Sequence, residues 1–310
     1  MHSRKQAGVP MVSLLALLLL CWGPSLVADA GGGDAGSANA TAQVRTSAKP
    51  EIEKERQKAE KQAKQSINQD ALAAVQLTQQ ALHAIVANKK DDAMKAIEQA
   101  EGKTSILLAR NPADALIPVE VEVKVIDTAP HDIKDIEKLA GAATLAVEAN
   151  DFPAARVILY SLLSEIHERT YNLPLATYPA ALKDAARLLD QGKTQEAQTV
   201  LSTALDTMVA TDRVTPIPLI LARAAVDAAQ AERDKDKNAA QTLLETAKKE
   251  LDRSKDLGYA AKDPVYASLN NDISNLEKQL RGKEDTNAVF ASLHEKLSSF
   301  LHRESQQQRR

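Results

Sequence analysis

The sequence predicts a mainly α protein, a multi-helix bundle of antiparallel helical hairpins that carries a small two-stranded β ribbon. Three observations predict it. Aromatic residues make up 3% of the 310 residues and glycines number only 11, which suits close-packed alanine- and leucine-rich helices better than a β sandwich. Apolar residues recur at i, i+3, i+4 and i+7 over most of the chain. One stretch, Ile117–Asp127, breaks that rule: Val119, Val121, Val123 and Val125 alternate with Glu120, Glu122 and Lys124, the period of a strand with one polar face.

The clearest hairpin is Ala180–Met208. Leu182, Ala185, Ala186 and Leu189 form one stripe, and Ala197, Val200, Leu201, Ala204, Leu205 and Met208 form the next. Between them, Gly192 suits the left-handed residue that ends a helix, and Thr194 suits the cap that opens the following one. Weaker copies occur elsewhere. The first runs from Ile67, interrupted at Asn88–Asp91 and ended by Asn111-Pro112, because the residue before a proline avoids the α region. The second joins a helix capped near Asp132 to one opened by Asp151-Phe152-Pro153, with a stripe reaching Leu162, Leu163 and Ile166. The fourth pairs Leu219–Glu232 with Asn238–Leu251 across the charged turn Arg233–Lys237. A further helix opens at Asp263-Pro264 and ends at Gly282, and a last one spans Asp285–Arg303. The repeat is too irregular for a tetratricopeptide array, so a bundle is expected over an open solenoid. An isolated strand is unstable, and the expected partner for the valine strand is the β-prone run Arg169–Leu175.

The N-terminus has the pattern of a secretory signal peptide over residues 1–30. Arg4 and Lys5 precede an apolar run from Met11 to Trp22, and Ala28-Asp29-Ala30 is a small-x-small cleavage site. The run is too short to span a bilayer. Cleavage near Ala30 and a periplasmic location are therefore expected, with no stable membrane insertion afterwards. Cys21 and Trp22 are the only Cys and Trp, so no disulfide framework is available to residues 31–310. Residues 31–50 read as a flexible leader and 51–66, dense in Glu, Lys and Gln, as a charged, solvated helical extension of the next helix. Residues 67–257 form the main helical domain, 258–303 a C-terminal helical hairpin, and 304–310 a disordered tail.

Charge and motifs narrow the function classes. A formal net charge of −3 argues against capture of nucleic acid. His83, His131, His167, His294 and His302 have no metal-ligand spacing, and no nucleophile elbow, phosphate loop or dinucleotide fingerprint is present. The expectation is a protein without enzymatic activity, cofactor or metal. The one cluster that invites a ligand is His167, Arg169, Tyr171, Leu173, Pro174 and Tyr178, where the scarce aromatics and prolines could line a shallow groove. The same residues also read as sheet partner plus rigid connection.

These residues carry a resemblance. From about Ile67 to Leu257 the chain resembles the YfdX family of bacterial exported proteins. The similarity lies in the first hairpin, AVQLTQQALHAI with ANKKDDAMKAIEQA, in the valine strand, and above all in NLPLATYPAALKDAARLLDQGK. The resemblance implies a helical periplasmic protein without established enzymatic activity, associated with heat, acid and drug stress and sometimes with heat-resistance islands. Three functions are compatible with it: a chaperone-like protein that binds unfolded or envelope clients, a binder of small hydrophobic drugs or metabolites, and a helical scaffold or adaptor of an envelope complex. Alanine and leucine on more than one face of several helices also predict a homo-oligomer.

Overall fold

A computed structural model describes residues 35–111, 115–282, 285–306 and 308–309 of the chain. The expected signal peptide and its cleavage site lie outside them. Gly36–Arg310 forms one compact unit. Among the described residues no helix is long and apolar enough to cross a membrane.

The predicted hairpins are present: α3 (Gln69–Val86) with α4 (Lys90–Arg110), α5 (Ile133–Glu148) with α6 (Phe152–Tyr160), α7 (Tyr178–Asp190) with α8 (Thr194–Asp206), and α9 (Ile217–Glu232) with α10 (Lys237–Asp256). What repeats is the turn more than the spacing. At Gly192 (φ +77°), the Lys193 N–H donates to Leu188 O (2.9 Å) and the Gly192 N–H to Leu189 O (3.1 Å), the paired bonds that close a helix through a left-handed residue. Asn88 (φ 56°) after α3 and Asn150 (φ 58°) after α5 make the same pair of bonds. Asn tolerates this conformation because its short polar side chain can bond locally. The next helix often begins on a carboxylate: Asp151 Oδ1 accepts from Ala154 N (3.1 Å), Asp132 Oδ1 from Lys134 N (2.8 Å), and Asp236 Oδ1 from Asn238 N (2.9 Å). Thr194 does not cap α8, as the sequence suggested; it is the first helical residue, after an uncapped Lys193.

The ribbon is larger than expected. β1 (Leu116–Asp127), β2 (Ser164–Pro174), β3 (Val209–Pro216) and the two-residue β4 (Gln308–Arg309) form an antiparallel sheet in the order β1-β2-β3-β4. β2 does pair with β1, through Leu116↔Pro174 to Asp127↔Ser164, but it starts earlier than Arg169. α6 ends at Tyr160, so Ile166, expected in its stripe, is a strand residue opposite Val125. The Leu162, Leu163, Ile166 spacing fits helix and strand alike, and the long-range ladder decides between them.

The sheet separates two apolar cores. One gathers α3, α4, α7 and α8 around Leu107, Leu173, Tyr178, Leu182 and Leu201. The other gathers α9, α10, α11 (Val265–Arg281) and α12 (Asn287–Gln306) around Ile220, Leu244, Ile273, Phe290 and Phe300. The alternation of β1 serves both in turn. Ile117 and Val119 join the first core, and a bulge between Pro118 and Glu120 shifts the register, so Val123 packs on the second. One extra residue thus turns the valine side of the strand from one core to the other.

Three flanking segments differ from expectation. Residues 35–47 of the supposed flexible leader form α1 (Ala35–Ser47), with Val44 and then Ala48 buried in the second core. The charged run forms a separate helix, α2 (Lys49–Ser66), in place of a solvated extension. It packs on β1, β2 and α9, with Arg223 of α9 bonded to Glu55 (3.0 Å) and close to Glu51 (3.5 Å). Its charges are paired with the protein on one side, while Asn68, whose Oδ1 accepts from Asp70 N and Ala71 N (3.0 and 3.1 Å), starts α3 as a new helix. The tail is ordered further than expected: α12 runs to Gln306, and β4 adds to β3 by Asp212↔Arg309 and Arg213↔Gln308.

A Cβ at residue 192 would meet nothing within 4 Å, so Gly192→Val isolates the cost of the left-handed backbone. Thermal unfolding should show a loss of about 1–2 kcal/mol, and an unchanged melting temperature would contradict that turn geometry.

Candidate functional site: an ionic chain and an apolar hairpin

Alternation along β2 puts Glu165, His167, Arg169, Tyr171 and Leu173 on one face, and the structure treats them differently. Leu173 is fully buried in the first core, and Tyr178, just beyond the strand, donates its hydroxyl to Thr78 Oγ1 (2.8 Å) deep in the same core. Burial raises the Tyr178 hydroxyl to about 12. Tyr171 packs against that core, and Pro174 ends the strand half-buried. Arg169 is held by Asp212, directly opposite on β3, through Nε (2.8 Å) and Nη2 (2.9 Å). His167 lies between Glu165 Oε1 (2.8 Å from Nδ1) and Asp212 Oδ1 (3.3 Å from Nε2). The six residues therefore do not line one groove. Leu173 and Tyr178 are interior packing, and His167 and Arg169 belong to an ionic row.

That row continues inward. Glu165 is buried, and its Oε2 accepts from Tyr259 Oη (2.9 Å), which in turn accepts from Ser164 N (3.0 Å). Ser164 Oγ donates to Asp127 Oδ1 (2.7 Å) and accepts from Arg253 Nη2 (3.3 Å). Arg253, on α10, is only 1% exposed. Its Nε donates to Pro130 O (2.9 Å), Nη2 to Ala129 O (3.2 Å), and Nη1 to the buried Glu250 Oε2 (3.2 Å). Glu250 Oε1 accepts from Arg45 of α1 (3.3 Å), and Arg45 also contacts His131. A continuous polar chain thus runs from α1 through α10 and the β1–α5 loop into β2 and β3. A guanidinium so far from water persists because its donors have fixed carbonyl, hydroxyl and carboxylate partners.

The two histidines at its ends are shifted in opposite senses. The Glu165 carboxylate bonded to His167, with Asp212 beyond it, raises that imidazole. Loss of solvent against α1 and the cations Arg45 and Arg253 push His131 down to about 4. Arg169 holds the Asp212 carboxyl below its ordinary value. Among the described residues no group of three or more His, Cys, Asp or Glu could hold a metal ion.

Arg253 and Tyr259 were not among the residues expected at the site. A faint signal did exist: Glu250 and Ser254 continue the Leu243, Ala247 stripe of α10 at helical spacing, and all are buried. Polar residues on an apolar stripe mark buried bonding partners.

The second feature is the α5–α6 hairpin. Ile136, Ala143 and Ala155 are its buried residues, while Leu145 (66% exposed), Val157 (72%), Phe152 (57%), Val147, Leu159 and Tyr160 face solvent. Large apolar side chains gathered on one element differ from apolar residues scattered singly over a surface. A third feature is a groove of 590 Å³ between α1 and the α9–α10 hairpin, lined by Ala40, Val44, Ala228, Ala231 and Leu243 among others.

Fold and site together define a mainly helical protein whose hairpins hang on both sides of a small antiparallel sheet. The model of the YfdX protein family matches residues 74–214, a narrower span than Ile67–Leu257. A solved structure of YfdX from Salmonella Typhi is similar at 15% identity, covering 48% of this chain and 91% of that one, with a TM-score of 0.33. No curated protein matches the chain. The matched span holds most of α3, α4 through α8, β1, β2 and most of β3, and α1, α2 and α9–α12 lie outside it.

The opposite shifts make a pH prediction. Stability from His167 is fully present below the unfolded histidine value of about 6.5 and is lost as pH rises through its raised folded value. His167→Gln should cost about 1–2 kcal/mol near pH 5.5 and clearly less near pH 8.5. His131 works the other way: its contribution is present above about 6.5 and lost as pH falls toward 4, so His131→Gln should flatten the acid limb of the stability curve. Denaturant melts at the two pH values check both, and equal costs at both would contradict the assignment.

Proposed function

We propose that this is a non-enzymatic, exported stress-response protein that binds partly unfolded client proteins of the bacterial envelope. The observation that carries the reading is the solvent-facing apolar surface of α5–α6. A surface of that kind can cover the exposed apolar segments of a stressed client, and such burial is a favourable, non-directional interaction that tolerates many partners. The signal-peptide pattern of residues 1–30 supports export, and the match of residues 74–214 to the YfdX family supports a role in heat, acid or drug stress.

The α1/α9–α10 groove favours a second reading, binding of a small hydrophobic drug or metabolite among its alanines. Tyrosine fluorescence titrated with a ligand panel tests it. A response abolished by Ala231→Phe would support the groove, and a flat titration would reject it.

The client reading predicts that the protein lacking residues 1–30 suppresses aggregation of a heat- or acid-stressed client near stoichiometric ratio. The triple substitution Leu145→Ser, Phe152→Ser and Val157→Ser should remove most of that suppression. Because all three side chains are exposed, stability should change by only about 0.5 kcal/mol at each site. Undiminished suppression by the triple variant, or none by the parent, would overturn the reading.

A further inference from the structure

β1 is one of the two outer strands of the sheet, and β2 occupies only one of its edges. On the other edge Pro118 O accepts from Asn68 N (2.9 Å); from Val119 to Ile126 no hydrogen bond among the described residues reaches it. Eight residues of free edge are a template for another strand, which proteins normally guard with charge, proline or a covering element. Here the guards are Glu120, Glu122 and Lys124, all solvent-facing, beside a half-exposed Val125.

The order of those charges selects one partner. If a second copy of β1 is laid antiparallel with Val123 opposite Val123, then Glu122 faces Lys124 and Lys124 faces Glu122, while Val121 faces Val125 in both crossings. Moving the register by two residues one way sets Glu122 against Glu122; moving it two the other way sets Lys124 against Lys124. A one-residue slip puts side chains of the wrong face together. Parallel in-register pairing sets like charges side by side. Only the centred antiparallel register gives two opposite-charge pairs and no like-charge pair, and opposed cross-strand neighbours lie about 5 Å apart, close enough for this to matter. The charges that repel foreign strands therefore admit the same strand from a second copy.

We infer that the free edge of β1 is a self-association surface, on which two copies pair antiparallel about Val123 and join their sheets into one. The exposed Val125 of each copy is then covered by the partner's Val121, and the unpaired main-chain groups of both edges find donors and acceptors. This gives the homo-oligomer expected from the sequence a specific surface, and it does not depend on the client-binding reading, whose surface is α5–α6.

Charge exchange tests it in the full chain lacking only residues 1–30. The parent should sediment as a dimer at micromolar concentration. Glu122→Lys and Lys124→Glu each turn both crossings repulsive, so each variant alone should associate about tenfold more weakly or run as a monomer. The double variant Glu122→Lys/Lys124→Glu should recover the dimer. An equimolar mixture of the two single variants should recover it too, since one then offers two positive ends to two negative ones. Glu122 and Lys124 are exposed and their mutual ion pair contributes little to folding, but they lie opposite Arg169 and His167 on β2, so a small drop in melting temperature is expected of Glu122→Lys. Circular dichroism should stay that of the folded parent throughout, and recovery of the dimer in the mixture separates lost pairing from lost folding. A monomeric parent, single variants that associate as strongly as the parent, or a mixture that fails to recover association would each overturn the inference. Association that survives both single substitutions but is lost on Phe152→Ser would move the contact to α5–α6.

Discussion

The guanidinium of Arg253 is the constraint on which the assembly of this fold turns. It sits at the end of α10, out of water, and its partners come from three different places: Glu250 on its own helix, the carbonyls of Ala129 and Pro130 at the start of the second hairpin, and Ser164 at the start of β2. Removing one partner of a buried pair leaves the other charge uncompensated, a loss of about 3–5 kcal/mol. Glu250 passes the same charge balance on to Arg45, so α1 is held as well. Apolar packing alone could hold these elements in many relative positions, because it is non-directional. Fixed donors aimed at fixed acceptors select one. Tyr259 and Tyr266 extend the set, with Tyr266 Oη donating to Tyr259 O (2.6 Å) and its ring edge-on to Phe300 at 5.0 Å.

The sheet supplies the second constraint. Its strands are long relative to their number, and both faces are used. Ile117, Val119 and Leu173 belong to the core shared with α3, α4, α7 and α8, whereas Val123 and Ile166 belong to the core of α9–α12. The middle of one face carries the row Glu122, Arg169 and Asp212, one residue per strand in direct register. The family-matched segment thus contributes one core and the wall, and the additional helices build the other core against the same wall. The α5–α6 hairpin emerges between β1 and β2 and lends only a few residues to the interior, which leaves its large apolar side chains facing solvent.

How much of this was legible follows from which interactions are local. Helical period, the Asn and Gly turns and the Asp caps depend on neighbours within about five residues, and α3 through α10 could be read from them. β1 was legible because Val119–Val125 alternate without interruption. β3, VATDRVTP, has no such alternation; it is a strand because β2 offers it a ladder. α1 is polar and alanine-rich and needed the second core around Val44 to show its role. At the site, His167, Arg169 and Tyr171 were visible as an unusual cluster, but nothing local distinguished a groove from an ion-paired strand. Arg253 lay in a run of charges at the end of a helix, where a solvated position is the normal outcome. Its burial depends on residues 89 and more positions away.

Hydrogen exchange read by mass spectrometry on Arg253→Met tests the role of that guanidinium most directly, since the substitution keeps the length of the side chain and removes its charge. The ionic joint predicts that α1, residues 127–131 and the start of β2 lose protection, while α3–α4 and α7–α8 exchange as in the parent. Exchange unchanged at α1 and at residues 127–131, or protection lost evenly across the whole chain, would contradict the place given to Arg253.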